Sequence, residues 1–126
     1  MTPRTALAAA ALLMALAVAL GAFGAHALKA RLTPDMLAVW QTGVTYHALH
    51  ALALLVAGVL MLQIGGSAAL NWAAYLFLAG IALFSGSLYL LALGAPRAFG
   101  LVTPFGGVSF IAAWVALAVG VLTRLR

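Results

Sequence analysis

His47 and His50 stand three residues apart, which places two imidazoles on neighbouring positions of one helix face. His26 closes the preceding apolar run at the same membrane level, so three imidazoles could approach one another. Neutral imidazole is the commonest metal ligand, and a haem would take rings from two facing helices, here His26 and His50. Zinc would ask for a third or fourth ligand, and the carboxylates that often help are missing: Asp35 is the only acid, and there is no Glu. The plainer reading has these rings bonding backbone carbonyls or water at the interface, where a histidine costs less than deep in lipid. Ser85 and Tyr89, four apart, share a helix face, while Ser87 turns to another side. A serine nucleophile needs a base and an orienting acid. With Asp35 lying in a link, hydrogen bonding between helices is the better use of these hydroxyls.

Composition removes further chemistry. There is no Cys, so disulfides, thiolate metal sites and cysteine nucleophiles are excluded. No carboxylate pair exists for glycoside hydrolysis, and no acid sits inside an apolar run to carry a proton. Gly106-Gly107 lacks the lysine and the preceding strand of a phosphate loop. The net charge is +5, but the six basic residues are scattered among links and tails, with no stripe to follow phosphates. They read as headgroup anchors, and no nucleic acid is expected as a partner.

The elements that position these residues are four apolar runs, roughly Thr5–Ala25, Val44–Ile64, Trp72–Leu93 and Phe105–Leu122. Each has about the 20 residues a helix needs to cross the hydrocarbon core. Hydrophobic residues form 67% of the chain and charged ones 6%, whereas soluble domains carry about 25% charge. The expected fold is therefore an all-α membrane protein, an antiparallel four-transmembrane-helix bundle. A single domain fills residues 1–126, with spans near 5–26, 44–64, 71–93 and 104–123.

Local signals refine this. Thr33-Pro34-Asp35 reads as a helix start: an N-cap, a first-turn proline and an acid at the positive end. The segment that follows either runs on into the second span or breaks at Gly43 as a short interfacial helix. Trp40 fits the aromatic belt as a headgroup anchor. Gly65-Gly66-Ser67 predicts a tight turn, Gly94-Ala95-Pro96 a helix end, and Thr103-Pro104 a second Thr-Pro helix start. Small-residue stripes at Ala17, Gly21 and Ala25, and at Ala112, Ala116 and Gly120, predict close helix contacts, and Gly106-Gly107 is expected to admit the Ser85-Gly86-Ser87 segment. The first run imitates a signal peptide, with Arg4 ahead of it and Ala25-His26-Ala27 after it. Its length of about 20 residues exceeds the 7–15 of a signal core, which favours a retained span. Lys and Arg divide evenly between the two faces, leaving orientation to the α-amino group, which tips the termini towards the cytoplasm.

Antiparallel spans put the first and third links on one membrane face. That face gathers His26, Lys29, Arg31, Trp40, Gln41, Thr42, Tyr46, His47, His50, Ser85, Ser87, Tyr89, Arg97 and Thr103, whereas the second link is uncharged. One end of the bundle is decorated and the other nearly bare.

The segments Gly21–Leu28, Trp40–His47, His50–Leu54, Leu83–Tyr89 and Thr103–Gly107 together resemble the DUF423 family of small bacterial inner-membrane proteins. The match covers nearly the whole chain, in order. His47 is a departure, since many members have Gln there. The resemblance implies a multi-pass protein of the bacterial inner (cytoplasmic) membrane and no catalytic residue.

The expectation from the sequence is thus a non-enzymatic membrane protein whose decorated end binds a lipid headgroup, a small ligand or a partner membrane protein. The candidate contacts are His26, Trp40, Thr42, Tyr46, His47, His50, Ser85, Ser87, Tyr89 and Thr103. A small oligomeric transporter or channel is one alternative, and haem or metal held by His26 and His50 is another. No cofactor is otherwise expected. The bilayer is the expected surrounding, with a homo-oligomer or a partner membrane protein as further association.

Overall fold

The computed structural model describes Met1–Leu125; Arg126 lies outside the described residues. The described chain is a succession of helices with no strand among them. Helix α1 is Pro3–His26, α2 is Pro34–Ile64, α3 is Ala68–Gly80, α4 is Gly86–Ala92 and α5 is Thr103–Arg124. A π-helical segment, Ile81–Ser85, joins α3 to α4 without a break, so Ala68–Ala92 forms one span, the third. Four helices are long and apolar enough to cross a membrane: Pro3–Ala30, Pro34–Ile64, Ala68–Ala92 and Arg97–Arg124. The expected all-helical, four-span architecture is what the chain forms.

Local chemistry accounts for several boundaries. The Thr33 hydroxyl accepts from the Met36 amide at 3.3 Å, and Pro34 occupies the first turn, as its sequence predicts. Ser67 caps α3 in the same way, accepting from the Leu70 amide at 3.2 Å. Between them Gly65 takes φ +80°, a left-handed conformation that disfavours side chains, and so closes the turn after α2. Gly94, at φ +99°, ends α4: its amide bonds Leu91 O and the Ala95 amide bonds Leu90 O, the paired closure of a Schellman motif.

At two helix starts the structure decides the detail. Of the two courses open to the segment after Pro34, the chain takes the continuous one, and α5 starts at Thr103-Pro104 as expected but without a threonine cap. Helix α2 runs unbroken through Gly43 for 31 residues, so there is no separate interfacial helix. A single glycine costs a helix only about 1 kcal/mol, and the side chain missing at Gly43 leaves room for Tyr89, whose ring a Cβ would meet at 2.9 Å. Thr103 does not cap α5; Val102 holds that position without a side-chain bond, and the Thr103 hydroxyl goes to Ser87 instead.

Helix α1 packs on α2, α2 also packs on the third span, and the third span packs on α5. The core runs along these seams, with Leu54, Leu70 and Phe77 fully enclosed. The small-residue stripes lie beside the expected ones. Helix α1 buries Ala6, Ala10, Ala17 and Gly24, while Ala25 is exposed. Helix α5 buries Gly106, Ala113 and Gly120, with Ala112 and Ala116 half-buried. At the bare end Arg124 donates to the Gly66 carbonyl, and the α-amino group reaches Asn71 Oδ1 at 3.4 Å.

Candidate functional site

At the decorated end nearly every polar side chain that enters the bundle is already committed to another helix. Ser85, fully buried, donates to the Gly43 carbonyl of α2 at 2.7 Å. Ser87 shares a 2.6 Å bond with Thr103 of α5 and also donates to Phe84 O at 2.9 Å. The third span is therefore fastened to α2 on one side and to α5 on the other, as the differing directions of Ser85 and Ser87 predict. Helix α5 comes close enough for this because Gly106 lies against the third-span backbone: a Cβ there would sit 2.3 Å from Phe84 N. That contact places Gly106 next to the Ser85-Gly86-Ser87 segment expected to receive it.

Trp40 is corrected from headgroup anchor to packing residue. It is 3% exposed, its indole N–H donates to Leu20 O of α1 at 3.0 Å, and its ring fills the space left by Gly24. Burying both ring and donor against α1 leaves nothing to offer the interface. Thr42 is exposed and its hydroxyl donates back to Ala38 O of its own helix. Tyr46 is 41% exposed, its ring tilted against Phe84 with centroids 4.6 Å apart.

The three histidines separate. His26 is exposed at the end of α1. His50 is buried among aromatic rings, stacked on Phe110 with ring centroids 3.5 Å apart. Its Nδ1 lies 2.7 Å from Tyr46 O, and its Nε2 accepts from the Trp114 indole N–H at 3.2 Å. A carbonyl can only accept and an indole N–H can only donate, so His50 is neutral with its proton on Nδ1. Both ring nitrogens are engaged, which leaves no lone pair for a metal. Among the described residues no three His or Asp side chains gather into a metal-binding group. The structure thus does not bring His26 and His50 together as haem or metal ligation requires.

His47 differs. It is 1% exposed, and Nδ1 lies 2.8 Å from the Tyr89 hydroxyl. Its Nε2 is the one buried side-chain nitrogen or oxygen without a hydrogen-bond partner among the described residues. The ring borders a cleft of about 410 Å³ between α1 and the third span, walled by Leu13, Leu16 and Leu20 on one side and Leu78, Ile81 and Gly86 on the other. Tyr89 lines the cleft as well. Ligand sites generally span about 300–1,000 Å³ with a mostly apolar lining and few polar groups, and this cleft has that form.

Sequence reasoning missed Trp114, Ser109 and Phe110. Ser109 ties α5 to α3 by donating to Leu76 O at 2.8 Å. Trp114 stands midway along α5, where an aromatic-belt residue has no place, and that position was the available signal. Phe110 looked like any lipid-facing apolar residue; its packing against Gly80, where a Cβ would meet the ring at 2.3 Å, exists only in three dimensions.

The comparisons with known proteins agree with this architecture. The UPF0382 membrane protein YwdK of Bacillus subtilis is 46% identical over 110 residues, covering 87% of this chain and 89% of its own. The UPF0382 membrane protein SAB0533 of Staphylococcus aureus is 46% identical over 104 residues, covering 81% and 82%. The UPF0382 inner membrane protein YgdD of Escherichia coli K12 is 44% identical over 126 residues, covering all of this chain and 95% of its own. No solved structure matches significantly. With four membrane-crossing helices and relatives named as inner membrane proteins, the chain is a multi-pass protein of the inner (cytoplasmic) membrane. The profile described as "Protein of unknown function (DUF423)" matches residues 20–107, and the chain belongs to that family.

Proposed function

We propose that this protein is a non-enzymatic membrane protein that holds a small lipophilic ligand within the bilayer. The observation that carries the reading is the apolar cleft of about 410 Å³ between α1 and the third span. The polar residues around it support a binding role over catalysis. Ser85, Ser87, Thr103 and His50 are engaged in bonds within the bundle, and the only acid, Asp35, is exposed at the first turn of α2. Among the described residues the base and hydroxyl that meet at the cleft are His47 and Tyr89, already bonded to each other, with no acid beside them to orient the pair. The helix seams, filled by Leu54, Leu70 and Phe77, favour binding over conduction through a single bundle.

Gly86 supplies the test. It lines the cleft, and a Cβ built there meets nothing within 4 Å. A larger side chain at Gly86 enters the cleft without disturbing a packed seam. Full-length protein purified from membranes in mild detergent is extracted, and the extract is read by mass spectrometry. Wild type is expected to retain a lipophilic compound at near-stoichiometric yield, and Gly86→Leu to lose it. Equal retention by both proteins would remove the cleft as the binding place.

A further inference from the structure

The unpartnered nitrogen of His47 gives the cleft a chemical preference. Resting on the binding role above, we propose that the cleft selects a neutral, bilayer-dissolved lipophile bearing a carbonyl oxygen, of quinone or ketone class, and that His47 Nε2–H is the group that recognises it.

The proton inventory fixes what His47 offers. The Tyr89 hydroxyl has one hydrogen, and its one side-chain partner among the described residues is His47 Nδ1. If Nδ1 carried the ring proton and donated to Tyr89, the phenol hydrogen and the Nε2 lone pair would both lack partners. If the phenol donates to Nδ1, only Nε2–H is left over. One unmade bond costs less than two, so the ring presents a donor. The Leu13 carbonyl of α1 also faces the ring, without completing a hydrogen bond to Nε2. An N–H buried in a wall of leucines asks for an oxygen acceptor from whatever enters.

Depth narrows the source of that oxygen. Leu13, His47 and Ile81 each lie at least ten residues from either end of their own span, so the donor lies among the residues that cross the hydrocarbon layer and not at a span end. The ester carbonyls of a phospholipid are held near the headgroups, at the edge of that layer. A molecule dissolved in the bilayer interior, with its carbonyl on an apolar ring, meets the donor where it stands. The size also suits a ring compound, because the cleft is at the small end of the range for ligand sites.

The test uses full-length protein with ¹⁵N-labelled histidine in bilayer discs of ether-linked lipid, which contain no ester carbonyl. Menadione is compared with 2-methylnaphthalene, which has the same ring system and methyl group but no carbonyl. Menadione is expected to shift the His47 Nε2–H resonance, leave His50 unmoved, and bind about threefold to tenfold more tightly than the hydrocarbon, the worth of one net hydrogen bond. His47→Leu should equalise the two affinities, and His47→Gln, which keeps a donor, should retain part of the preference. Equal binding in wild type, or a preference that survives His47→Leu with unchanged helicity, overturns the role of His47 while leaving the cleft a binding site. If neither compound binds, the cleft reading fails as well. A second arm uses discs of ester-linked lipid. A His47 resonance already at its bound position there, before menadione is added, would make the lipid ester the occupant and overturn the assignment to a free lipophile.

Discussion

Three residues of α2 separate two buried histidines whose surroundings differ in kind. Around His50, α2, α3 and α5 converge: Phe110 stacks on the ring, Phe77 and Trp114 close the edges, and both nitrogens are bonded. Around His47, α1 and the third span stand apart, one nitrogen is bonded, and the other is not. Burial is almost the same, at 3% and 1% exposed, so burial does not distinguish them. Counting donors and acceptors does. A fully paired ring in an aromatic stack is complete within the fold, whereas the ring beside the apolar cleft leaves one nitrogen without a partner.

The strongest way to break this contrast is through the glycines behind each pocket. At Gly80 an added methyl meets the Phe110 ring at 2.3 Å, and that ring is already pressed on His50. Gly80→Ala is expected to lose about 1–3 kcal/mol by overpacking. At Gly86, helical at φ −58°, Gly86→Ala should be neutral or gain up to about 1 kcal/mol from helix propensity. Unfolding in mixed micelles, followed by circular dichroism, measures both. Equal losses would mean the cleft side is packed as tightly as the aromatic side.

A smaller difference should appear at the rings themselves. His50→Leu strands the Trp114 N–H and is expected to cost about 1–3 kcal/mol in the same assay. His47→Leu combined with Tyr89→Phe removes a donor and its partner together and relieves an unmade bond. It should change stability by no more than about 1 kcal/mol in either direction. A double variant as damaging as His50→Leu would assign His47 a structural role.

Smaller still is the fastening common to both pockets. A double-mutant cycle on Ser87→Ala and Thr103→Val should return a coupling of about 0.5–1.5 kcal/mol in those unfolding curves. A coupling near zero would mean that backbone contact at Gly106 and the other α5 seams hold the helix in place without this bond. The finest distinction carries no change in stability. ¹⁵N spectra of the unliganded protein should show two neutral histidines in opposite tautomers, Nδ1–H for His50 and Nε2–H for His47. Finding the same tautomer at both would dissolve the comparison.

What could be read in the chain followed the range of the forces involved. The four spans were legible because a long apolar run has few other fates. Thr33-Pro34 was legible because a cap closes on an amide three residues away. Thr103-Pro104 offered the same local pattern and marks the start of α5, but without the cap, because the Thr103 hydroxyl bonds Ser87 of another span in place of its own helix end. Trp40 failed for a similar reason: nothing beside it in sequence announces Gly24, sixteen residues back, whose missing side chain makes room for the ring. The decorated end itself was visible. The separation of its histidines was not, since two rings at three-residue spacing can still face different neighbours.

The π-helical turn at Ile81–Ser85 has a consequence for chain length. A wide turn of this kind absorbs one residue more than an α-turn while the helices on either side keep their facing. The third span therefore carries a spare residue. Removing the lipid-facing Leu83 should let the segment tighten into ordinary α-helix, with Ser87 still opposite Thr103 and Tyr89 still opposite His47. Removing a residue from α3 instead, where no such slack exists, turns one half of the span by about 100° against the other and misaligns every seam it makes. Along this span, tolerance to deletion is concentrated within a single turn.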